Sequence, residues 1–344
     1  MNPTLLPILK KTARTLYLSI KALPLKMRNP FCIAYLLCRA ADSVADTRII
    51  PHETRIGWIH DFPDITTNPE KRKLKLNDLI EDIYDSADLP SEKELIKALP
   101  VILAEYDRLS PDEREITAQV VKDVCLGMIT DLTFFGKDRR SLKAFKSEEQ
   151  LDEYCYFIGG GPGLFWTRLA IIHGVLPQDP VYEKQAAEIG KALQITNILR
   201  DVASDLRIGR CYLPQADLKR AGLDPDDLFD RASVEKFRPV IKKWILWAVG
   251  NLDQSQDYVN AISRKHFGMR AAVVWPVYWC LDSLAQIAAS KNLLSPDLKT
   301  KISRGRIYAT IAKTPAVLLS KTAFAKGYRL RREILLSGIS ETDA

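Results

Sequence analysis

FCIAYLLCRAADSVADT occupies residues 31 to 47 and directly follows Pro30. Most of its residues are apolar, its polar residues are isolated, and proline is favoured in the first turn of helices, so the stretch predicts a helix buried on most sides. Apolar residues with the same i, i+3, i+4 spacing recur along the chain, whereas period-two alternation between turn residues is almost absent. The sequence therefore predicts an all-α fold.

Linkers are predicted where Gly, Pro and polar residues cluster, at residues 63–75, Gly159–Gly163 and 214–230. None of them is long or flexible enough to require a second domain, and no internal repeat is visible. Residues 1–344 are therefore expected to form one helical domain, with a basic C-terminal segment, 315–344, that could lie on a surface. Further helices are predicted at residues 76–86, 91–108, 113–135, 148–158, 164–174, 181–206, 233–263, 268–290 and 297–313.

The composition is that of an ordinary globular protein. With 344 residues, 47% of them apolar and 27% charged, the chain is unlike disordered proteins, collagen or small disulfide-rich proteins. The longest apolar run, Ala271–Leu281, is shorter than the roughly 20 residues that a membrane span requires. We expect a protein that is soluble or only peripherally attached to a membrane.

The net charge and the cysteines indicate the kind of partner and the cellular compartment. The net charge of +7 favours anionic partners, among which nucleic acid, phospholipid headgroups and diphosphates remain open. Six scattered cysteines without a CxxC pair indicate neither a zinc site nor a disulfide framework. Residues 1–15 lack the apolar core of a signal peptide. A cytoplasmic location is therefore predicted.

Two segments each place two aspartates one helical turn apart beside an arginine. They are Arg39-Ala-Ala-Asp42-Ser-Val-Ala-Asp46 and Asn197-Ile-Leu-Arg200-Asp201-Val-Ala-Ser-Asp205. At 3.6 residues per turn, positions i and i+4 share a helix face, so the two aspartates of each pair point the same way. Either segment alone is also explained by a solvated acidic face with an ion pair. Together they are harder to explain in that way, because both lie in the most apolar helices.

Four carboxylates that face one another need cations. At an effective dielectric constant near 20, two like charges about 4 Å apart repel by roughly 4 kcal/mol. Hard divalent ions with oxygen ligands meet this need, and Mg²⁺ usually completes its coordination with substrate phosphates and water. The side-chain carbonyl of Asn197, four residues before Asp201, could add a ligand on the same face. The two segments thus predict Mg²⁺ and a diphosphate.

These motifs resemble those of the squalene and phytoene synthases. The second one continues into Gly209-Arg210-Cys-Tyr212-Leu-Pro214, a highly specific GRxYxP pattern, and the resemblance extends from Ala13 to about Thr314. It implies a single-domain helical bundle around a central cavity, in which two prenyl diphosphates are joined head to head. By this resemblance Mg²⁺ is held by Asp42, Asp46, Asp201 and Asp205, with Asn197. The positions that match diphosphate contacts or the lid are Arg14, Thr15, Tyr35, Arg39, Gln194, Arg200, Arg210 and Tyr212.

Two further features depend on the same resemblance. Tyr154 matches a tyrosine that helps diphosphate departure or proton abstraction, although by itself it would be a core tyrosine with a satisfied hydroxyl. Many squalene synthases carry Glu beside the last Asp of each motif, where this chain has Ala45 and Ser204. We therefore expect metal binding by the aspartates, with a lower affinity for Mg²⁺ than usual.

The C-terminal third favours one branch of the family. Val274-Trp275-Pro276 followed by Lys301-Ile302-Ser303-Arg304-Gly305 is similar to the squalene synthases, and unlike the phytoene synthases. The resemblance then implies condensation of two farnesyl diphosphates to presqualene diphosphate and reduction with NADPH to squalene. The polar ending Ser340–Ala344 is expected for a soluble enzyme that reaches a membrane surface, such as the inner face of the cell membrane, only to release its lipid product.

Other functions remain open at this point. Dehydrosqualene, phytoene and presqualene diphosphate synthases carry out related reactions without the reduction. A non-catalytic helical protein that binds membranes is a second class of explanation. Nucleic acid is not expected as a partner, because no helix-turn-helix or basic recognition helix is recognisable. Head-to-tail prenyl elongation normally has doubled aspartates, which Ala41-Asp42 and Arg200-Asp201 do not provide.

Overall fold

The computed structural model describes residues 2–13, 16–47, 49–85, 89–136, 142–295 and 302–341. The described chain is almost entirely helical, which confirms the predicted all-α class. The helices are α1 (Leu5–Ala13), α2 (Leu16–Ala22), α3 (Leu25–Asp46), α4 (His52–Thr67), α5 (Pro69–Tyr84), α6 (Pro90–Lys97), α7 (Leu99–Asp107), α8 (Pro111–Phe135), α9 (Glu148–Cys155), α10 (Gly161–Ile172), α11 (Pro180–Arg207), α12 (Gln215–Arg220), α13 (Val234–Leu252), α14 (Ser255–Ala261), α15 (Phe267–Ala288), α16 (Arg304–Leu319) and α17 (Lys321–Glu341).

Short elements complete the fold. A π-helix covers Tyr156–Gly160, and 3₁₀ turns cover Pro225–Phe229, Arg231–Ser233 and Arg264–His266. Strands β1 (Lys143–Ala144) and β2 (Arg210–Cys211) form a parallel two-stranded sheet, in which Lys143 pairs with Arg210 and Ala144 with Cys211. Two-residue strands leave no alternating pattern in the sequence, so periodicity does not reveal them.

Helix α3 differs in its start from the predicted helix. It begins at Leu25 and contains Pro30 instead of following it. Pro30 is the sixth residue of the helix, where a proline removes one backbone hydrogen bond and its ring crowds the carbonyl of Lys26. Met27, Pro30 and Phe31 are all buried, so packing compensates for that loss. Apolar packing thus extends the helix past its proline.

The predicted linker at 63–75 is wrong. Helices α4 and α5 cover this stretch and are separated only by Asn68, whose side chain accepts hydrogen bonds from the backbone N–H groups of Glu70 (3.0 Å) and Lys71 (3.2 Å). Asn68 is thus the N-cap of α5. The polar composition that suggested a linker belongs to the exposed faces of two helices.

Four other predicted boundaries differ from the structure. The helix predicted at 91–108 divides into α6 and α7, because Pro100 starts a new helix, and the one predicted at 233–263 divides into α13 and α14. The linker predicted at Gly159–Gly163 is also wrong, since the π-helix leads directly into α10. The helix predicted at 297–313 starts outside the described residues, and α16 begins at Arg304.

The chain divides into two compact units, each built from two separate stretches. Unit 1 comprises residues 1–137 and 164–178, and unit 2 comprises residues 138–163 and 179–344. In unit 1, α3 packs on α4, α7 and α8. The ring of Phe31 on α3 lies 6.1 Å from that of Phe165 and 5.2 Å from that of Trp166, measured between centroids. The late stretch of unit 1 thus supplies part of its core.

In unit 2, the central element is α15. It packs on α11, α13, α16 and α17, and most of its side chains are buried. Among the described helices, the stretch Arg264–Ala288 is long and apolar enough to cross a membrane, but 78% of its apolar window is buried inside the protein. Burial of this extent is what a core helix of a folded domain shows.

The basic C-terminal segment forms the end of α16 and α17. On α17 one face is buried, with Phe324 and Tyr328 at 1% and 0% exposure. The hydroxyl of Tyr278 on α15 donates to the backbone oxygen of Phe324 at 3.0 Å, and the Arg331 guanidinium lies 3.4 Å from the carboxylate of Asp282. This segment is therefore fastened to α15 along one side, while other side chains of α17 face the solvent.

Candidate active site

The first aspartate pair lies at the C-terminal end of α3 in unit 1. Ala40, Ala41 and Val44 are fully buried on one side of the helix. On the other side, the carboxylate of Asp42 is 36% exposed and is paired with the guanidinium of Arg39. Asp46, on the same side, is exposed. The sequence positions this pair because small apolar residues alternate with the acidic ones at helical spacing.

Glu92 and the C-terminal end of α3 add negative charge around this aspartate pair. Arg39 also donates a hydrogen bond from Nη2 to the Oε1 atom of Glu92 on α6, at 3.0 Å. Asp46 is the last residue of α3, where the helix dipole is negative and a carboxylate is unfavourable. A cation beside Asp46 would therefore be stabilised by both the carboxylate and the helix end.

The second pair lies near the end of α11 in unit 2. The guanidinium of Arg200 donates to both carboxylate oxygens of Asp201, at 3.1 and 2.5 Å, and the Asp201 side chain is 39% exposed. Asp205 follows one turn later and is half-buried. Asn197 is exposed, and its Nδ2 lies 3.5 Å from Oε1 of Gln194. The buried residues of this part of the helix are Ile198, Leu199, Val202 and Leu206.

The residues that replace the usual glutamates carry no charge toward either pair. Ala45 is 7% exposed and packs into unit 1. The Oγ of Ser204 donates to the backbone oxygen of Asp201 at 2.7 Å and so stays on its own helix. The carboxylates of the aspartates are therefore the charged oxygen ligands that each motif offers.

These donor sets fit Mg²⁺. Each motif presents accessible carboxylate oxygens at i and i+4, and the second adds the amide oxygen of Asn197. Within the described part of the chain, no group of three or more His, Cys, Asp or Glu side chains is arranged to enclose a metal. Mg²⁺ does not need such a cage, because it is commonly held by one or two carboxylates together with substrate phosphates.

An aromatic cluster in unit 2 brings two of the predicted site residues together. The rings of Tyr154 on α9 and Tyr212 after β2 are stacked, with centroids 4.9 Å apart and planes at 23°. Phe145 contacts both rings edge-on, at 5.6 Å from each centroid. All three side chains are buried, so the tyrosine rings have little room to move.

The backbone explains why these rings meet. The N–H of Phe145 donates to the carbonyl of Cys211 at 3.0 Å, and the N–H of Gln215 donates to the carbonyl of Phe145 at 2.7 Å. Together with the β1–β2 pairing, these bonds fix the segment that carries Tyr212 against α9. The small sheet therefore orients the two tyrosines.

Glycines hold the helix after Tyr154 against the second motif helix. Gly159 in the π-helix and Gly190 on α11 approach backbone to backbone, and a Cβ on Gly159 would lie 2.8 Å from the carbonyl carbon of Gly190. Gly163 makes a similar approach to Ala186. The Gly-rich stretch that suggested a linker thus forms a close contact between helices. Short π-helical segments are frequent at functional sites.

The cysteines are free thiols buried away from nucleophilic chemistry. None of the six forms a disulfide. Burial raises the pKa of Cys38, Cys211 and Cys280 to about 12. A thiol with such a pKa is almost entirely protonated at neutral pH and is a poor nucleophile. The chemistry of the site therefore does not depend on these cysteines.

The structure brings some of the predicted site residues together in pairs. It pairs Arg39 with Asp42, Arg200 with Asp201, and Tyr154 with Tyr212. Tyr35 on α3 and Arg210 on β2 are half-buried. Arg14 and Thr15 lie outside the described residues. The two aspartate pairs belong to different units, and their joint action on one diphosphate stays a prediction.

Sequence reasoning missed Phe145 and Glu92. Phe145 is fully buried against the two tyrosines. Glu92 is, besides Asp42, the second carboxylate that pairs with Arg39. Both contacts join residues that are distant in the chain, and neither residue lies in a motif. Only the strand pairing of β1 with β2 could have indicated Phe145, and such short strands give no periodic signal.

Comparison with known proteins identifies related sequences. The squalene/phytoene synthase family model matches residues 9–306. The chloroplastic phytoene synthase of Daucus carota is 31% identical over 284 residues, which cover 80% of this chain and 59% of that protein. The squalene synthase of Homo sapiens is 27% identical over 210 residues, which cover 60% of this chain and 45% of that protein. The chain thus spans about half the length of these relatives.

Solved structures share the fold. The complex of TcSQS with the ligand BPH1237 superimposes with a TM-score of 0.74 at 19% identity, covering 98% of this chain and 97% of that one. A dehydrosqualene synthase in complex with ligand gives a TM-score of 0.61 at 21% identity, covering 91% and 94%. The helical arrangement is therefore that of these synthases.

Proposed function

This chain belongs to the squalene/phytoene synthase family, and on that premise we propose that it joins two farnesyl diphosphates head to head and reduces the product to squalene with NADPH. The observation that carries the proposal is the pair of Arg–Asp motifs, each on an accessible helix face whose opposite side is buried and apolar. Both motifs suit a substrate that combines a diphosphate with a hydrocarbon chain.

In this proposal the aspartates and Asn197 hold Mg²⁺. The ion, when bound, neutralises the charge that develops on the departing diphosphate. Arg39 and Arg200 are paired with Asp42 and Asp201 in the structure, and their guanidinium groups have the fork geometry that binds phosphate oxygens. We infer that these arginines would bind diphosphate oxygens of the substrate. Arg14, Thr15, Tyr35, Gln194 and Arg210 are proposed as further diphosphate contacts.

The aromatic cluster suits the need to protect a carbocation during the reaction. Loss of diphosphate leaves an allylic cation, which must be kept from water and is stabilised by aromatic rings. Tyr154 and Tyr212 form a rigid stack backed by Phe145. We propose that the Tyr154 hydroxyl assists diphosphate departure or proton abstraction, and that Phe145 holds its ring in place.

The reductive step is proposed from the resemblance of the C-terminal third to the squalene synthases, and two contacts place this region in the fold. Trp275 of the Val274–Pro276 stretch donates from its indole nitrogen to Oγ1 of Thr314 at 2.7 Å, which joins α15 to α16. Arg306, directly after the Lys301–Gly305 pattern, is fixed by Asp282. NADPH supplies the hydride in this proposal. Relatives of both branches match the chain, so the product has to be measured.

The test is product analysis with the purified full chain. Farnesyl diphosphate and Mg²⁺ are supplied with and without NADPH, in parallel with a longer prenyl diphosphate. We expect squalene only when NADPH is present, and presqualene diphosphate in its absence. Dehydrosqualene or phytoene regardless of the reductant would refute the squalene assignment, whereas presqualene diphosphate as the final product with NADPH would indicate a one-step synthase.

Release of a lipid product implies contact with a membrane surface, and α17 suits this contact. Leu330 and Ile334 are 57% and 52% exposed and lie one turn apart on the same face as Lys326. Apolar side chains beside basic ones are typical of helices that lie on anionic membranes. We propose that a cytoplasmic form of the protein docks transiently through this face.

Vesicle sedimentation tests the docking. The wild-type protein is expected to bind vesicles that contain phosphatidylglycerol, and Leu330→Ser with Ile334→Ser is expected to weaken the partition constant by about tenfold. Leu74→Ser is the matched control, because Leu74 on α5 is 73% exposed and lies in the other unit. Equal binding of all three proteins would exclude α17 as the docking face.

A further inference from the structure

A cavity lies on α11, away from the aspartate pair. It has a volume of about 210 Å³ and belongs entirely to unit 2. Its walls come from α11, the turns around Pro225–Ser233 and the segment after α15. The lining residues are Ala203, Leu206, Arg207, Leu228, Phe229, Arg231 and Leu294.

This cavity is distinct from the proposed diphosphate site. At about 100° per residue, Ala203, Leu206 and Arg207 lie roughly 140° to 240° around the helix axis from Asp201. Asp205 is only about 40° from Asp201 on the same scale. The cavity and the aspartate pair are therefore on opposite sides of α11.

The charge in the cavity wall is cationic. Arg207 is exposed and makes no hydrogen bond or ion pair with another residue of the described ranges. The nearby carboxylates are engaged in their own turns, since Asp227 accepts from the N–H of Asp224 at 2.8 Å and Asp230 from the N–H of Ala232 at 2.9 Å. Arginine forks bind phosphate and carboxylate groups preferentially, so the wall favours an anionic group.

The apolar part of the wall favours a hydrocarbon chain. Phe229 is 58% exposed at the cavity, whereas Leu228, Leu206 and Leu294 are buried beneath it. The exposed face of the Phe229 ring gives a hydrocarbon chain an apolar surface to lie on. The volume is smaller than the roughly 300–1,000 Å³ of pockets that enclose a whole drug-sized ligand. A ligand would therefore place its head and first carbons inside and its tail over Phe229.

We propose that this cavity binds a soluble single-chain amphiphile with a phosphate or carboxylate head. Arg207 contacts the head group, and Leu206, Leu228 and Phe229 contact the chain. Nothing in this assignment depends on the reaction proposed for the aspartate pairs, because the site uses other residues and needs no metal.

Calorimetric titration with dodecyl phosphate, below its micelle concentration and in EDTA, tests the assignment. We expect Arg207→Ala to raise the dissociation constant at least tenfold. Ala203→Leu, which fills the cavity, is expected to raise it to a similar extent. Arg329→Ala, which removes an exposed arginine of α17, should leave it unchanged. Inorganic phosphate and dodecyl maltoside are expected to bind much more weakly, since each offers only one of the two features.

The location is tested with a photoreactive dodecyl phosphate and mass spectrometry. Label on peptides that contain residues 203–207 or 228–231 is the expected result. Label confined to other peptides, or unchanged affinity in both cavity variants, would overturn the proposal. Equal affinity for dodecyl maltoside would overturn the anionic preference. Retention on phosphatidic acid vesicles that Arg207→Ala abolishes would assign the site to a lipid headgroup instead.

Discussion

Replacement of Asp201 by asparagine is expected to lower kcat/KM for farnesyl diphosphate by about 10³-fold, the loss typical when one preorganised charged contact to a transition state is removed. The substitution keeps the shape of the side chain but removes the charge that Mg²⁺ requires. Steady-state kinetics over a range of Mg²⁺ concentrations measures the effect, and we expect the Mg²⁺ dependence to shift to higher concentrations.

The fold should tolerate this change. Asp201 is 39% exposed and its ion pair with Arg200 lies at the surface, so the free energy of unfolding should change by less than about 1 kcal/mol. Asp78→Asn is the matched control, because Asp78 is an exposed aspartate of α5 outside both motifs. Wild-type activity of Asp201→Asn, or equal losses in both variants, would contradict the proposed function.

The double variant Asp42→Asn with Asp201→Asn tests whether the two motifs serve one reaction. Residues that act as a unit have non-additive effects on the rate. We therefore expect the double variant to be little worse than the more damaged single variant. Multiplication of the two losses would mean that the pairs act independently.

Replacement of Gly159 by alanine is expected to destabilise the protein by about 3 kcal/mol or more. The added Cβ would meet the carbonyl group of Gly190, and the reciprocal Cβ on Gly190 would lie 2.7 Å from the carbonyl carbon of Gly159. Both obstacles are backbone atoms, so neither can move aside without shifting a helix. Urea unfolding followed by circular dichroism measures the loss, and activity should fall with it.

Gly250→Ala provides the matched control. Gly250 lies inside α13, and a Cβ there would meet no atom within 4 Å. Alanine is favoured over glycine in helix interiors by about 0.8–1.0 kcal/mol, so this variant should be slightly more stable than the wild type. If Gly159→Ala behaved like Gly250→Ala, the close contact between the π-helix and α11 would be disproved.

The parts of the fold that the sequence predicts are those encoded locally. The period of apolar residues in 181–206 gives α11 nearly to its ends, that in 31–47 gives α3 without its first six residues, and each aspartate pair follows from its i, i+4 spacing. The polar stretch 63–75 was misjudged because a helix whose exposed face is mostly polar has the composition of a linker.

The parts that the sequence does not predict depend on contacts between distant residues. Gly159 needs Gly190 opposite it to explain why no side chain fits, and Phe145 needs the backbone of Cys211 to reach Tyr212. A run of glycines indicates unusual backbone geometry but not which helix lies against it. The pairing of Arg39 with Asp42 and of Arg200 with Asp201 could be expected from the sequence, because each aspartate lies within one helical turn of its arginine.

The order of the chain stretches has a consequence for biosynthesis. Phe31 in unit 1 packs on Phe165 and Trp166, and the ribosome completes the first stretch of unit 2 before it delivers these rings. At roughly 5–20 residues per second, the wait is on the order of ten seconds. During translation the Phe31 ring of the nascent α3 therefore lacks these two aromatic partners until residues 165 and 166 have been added.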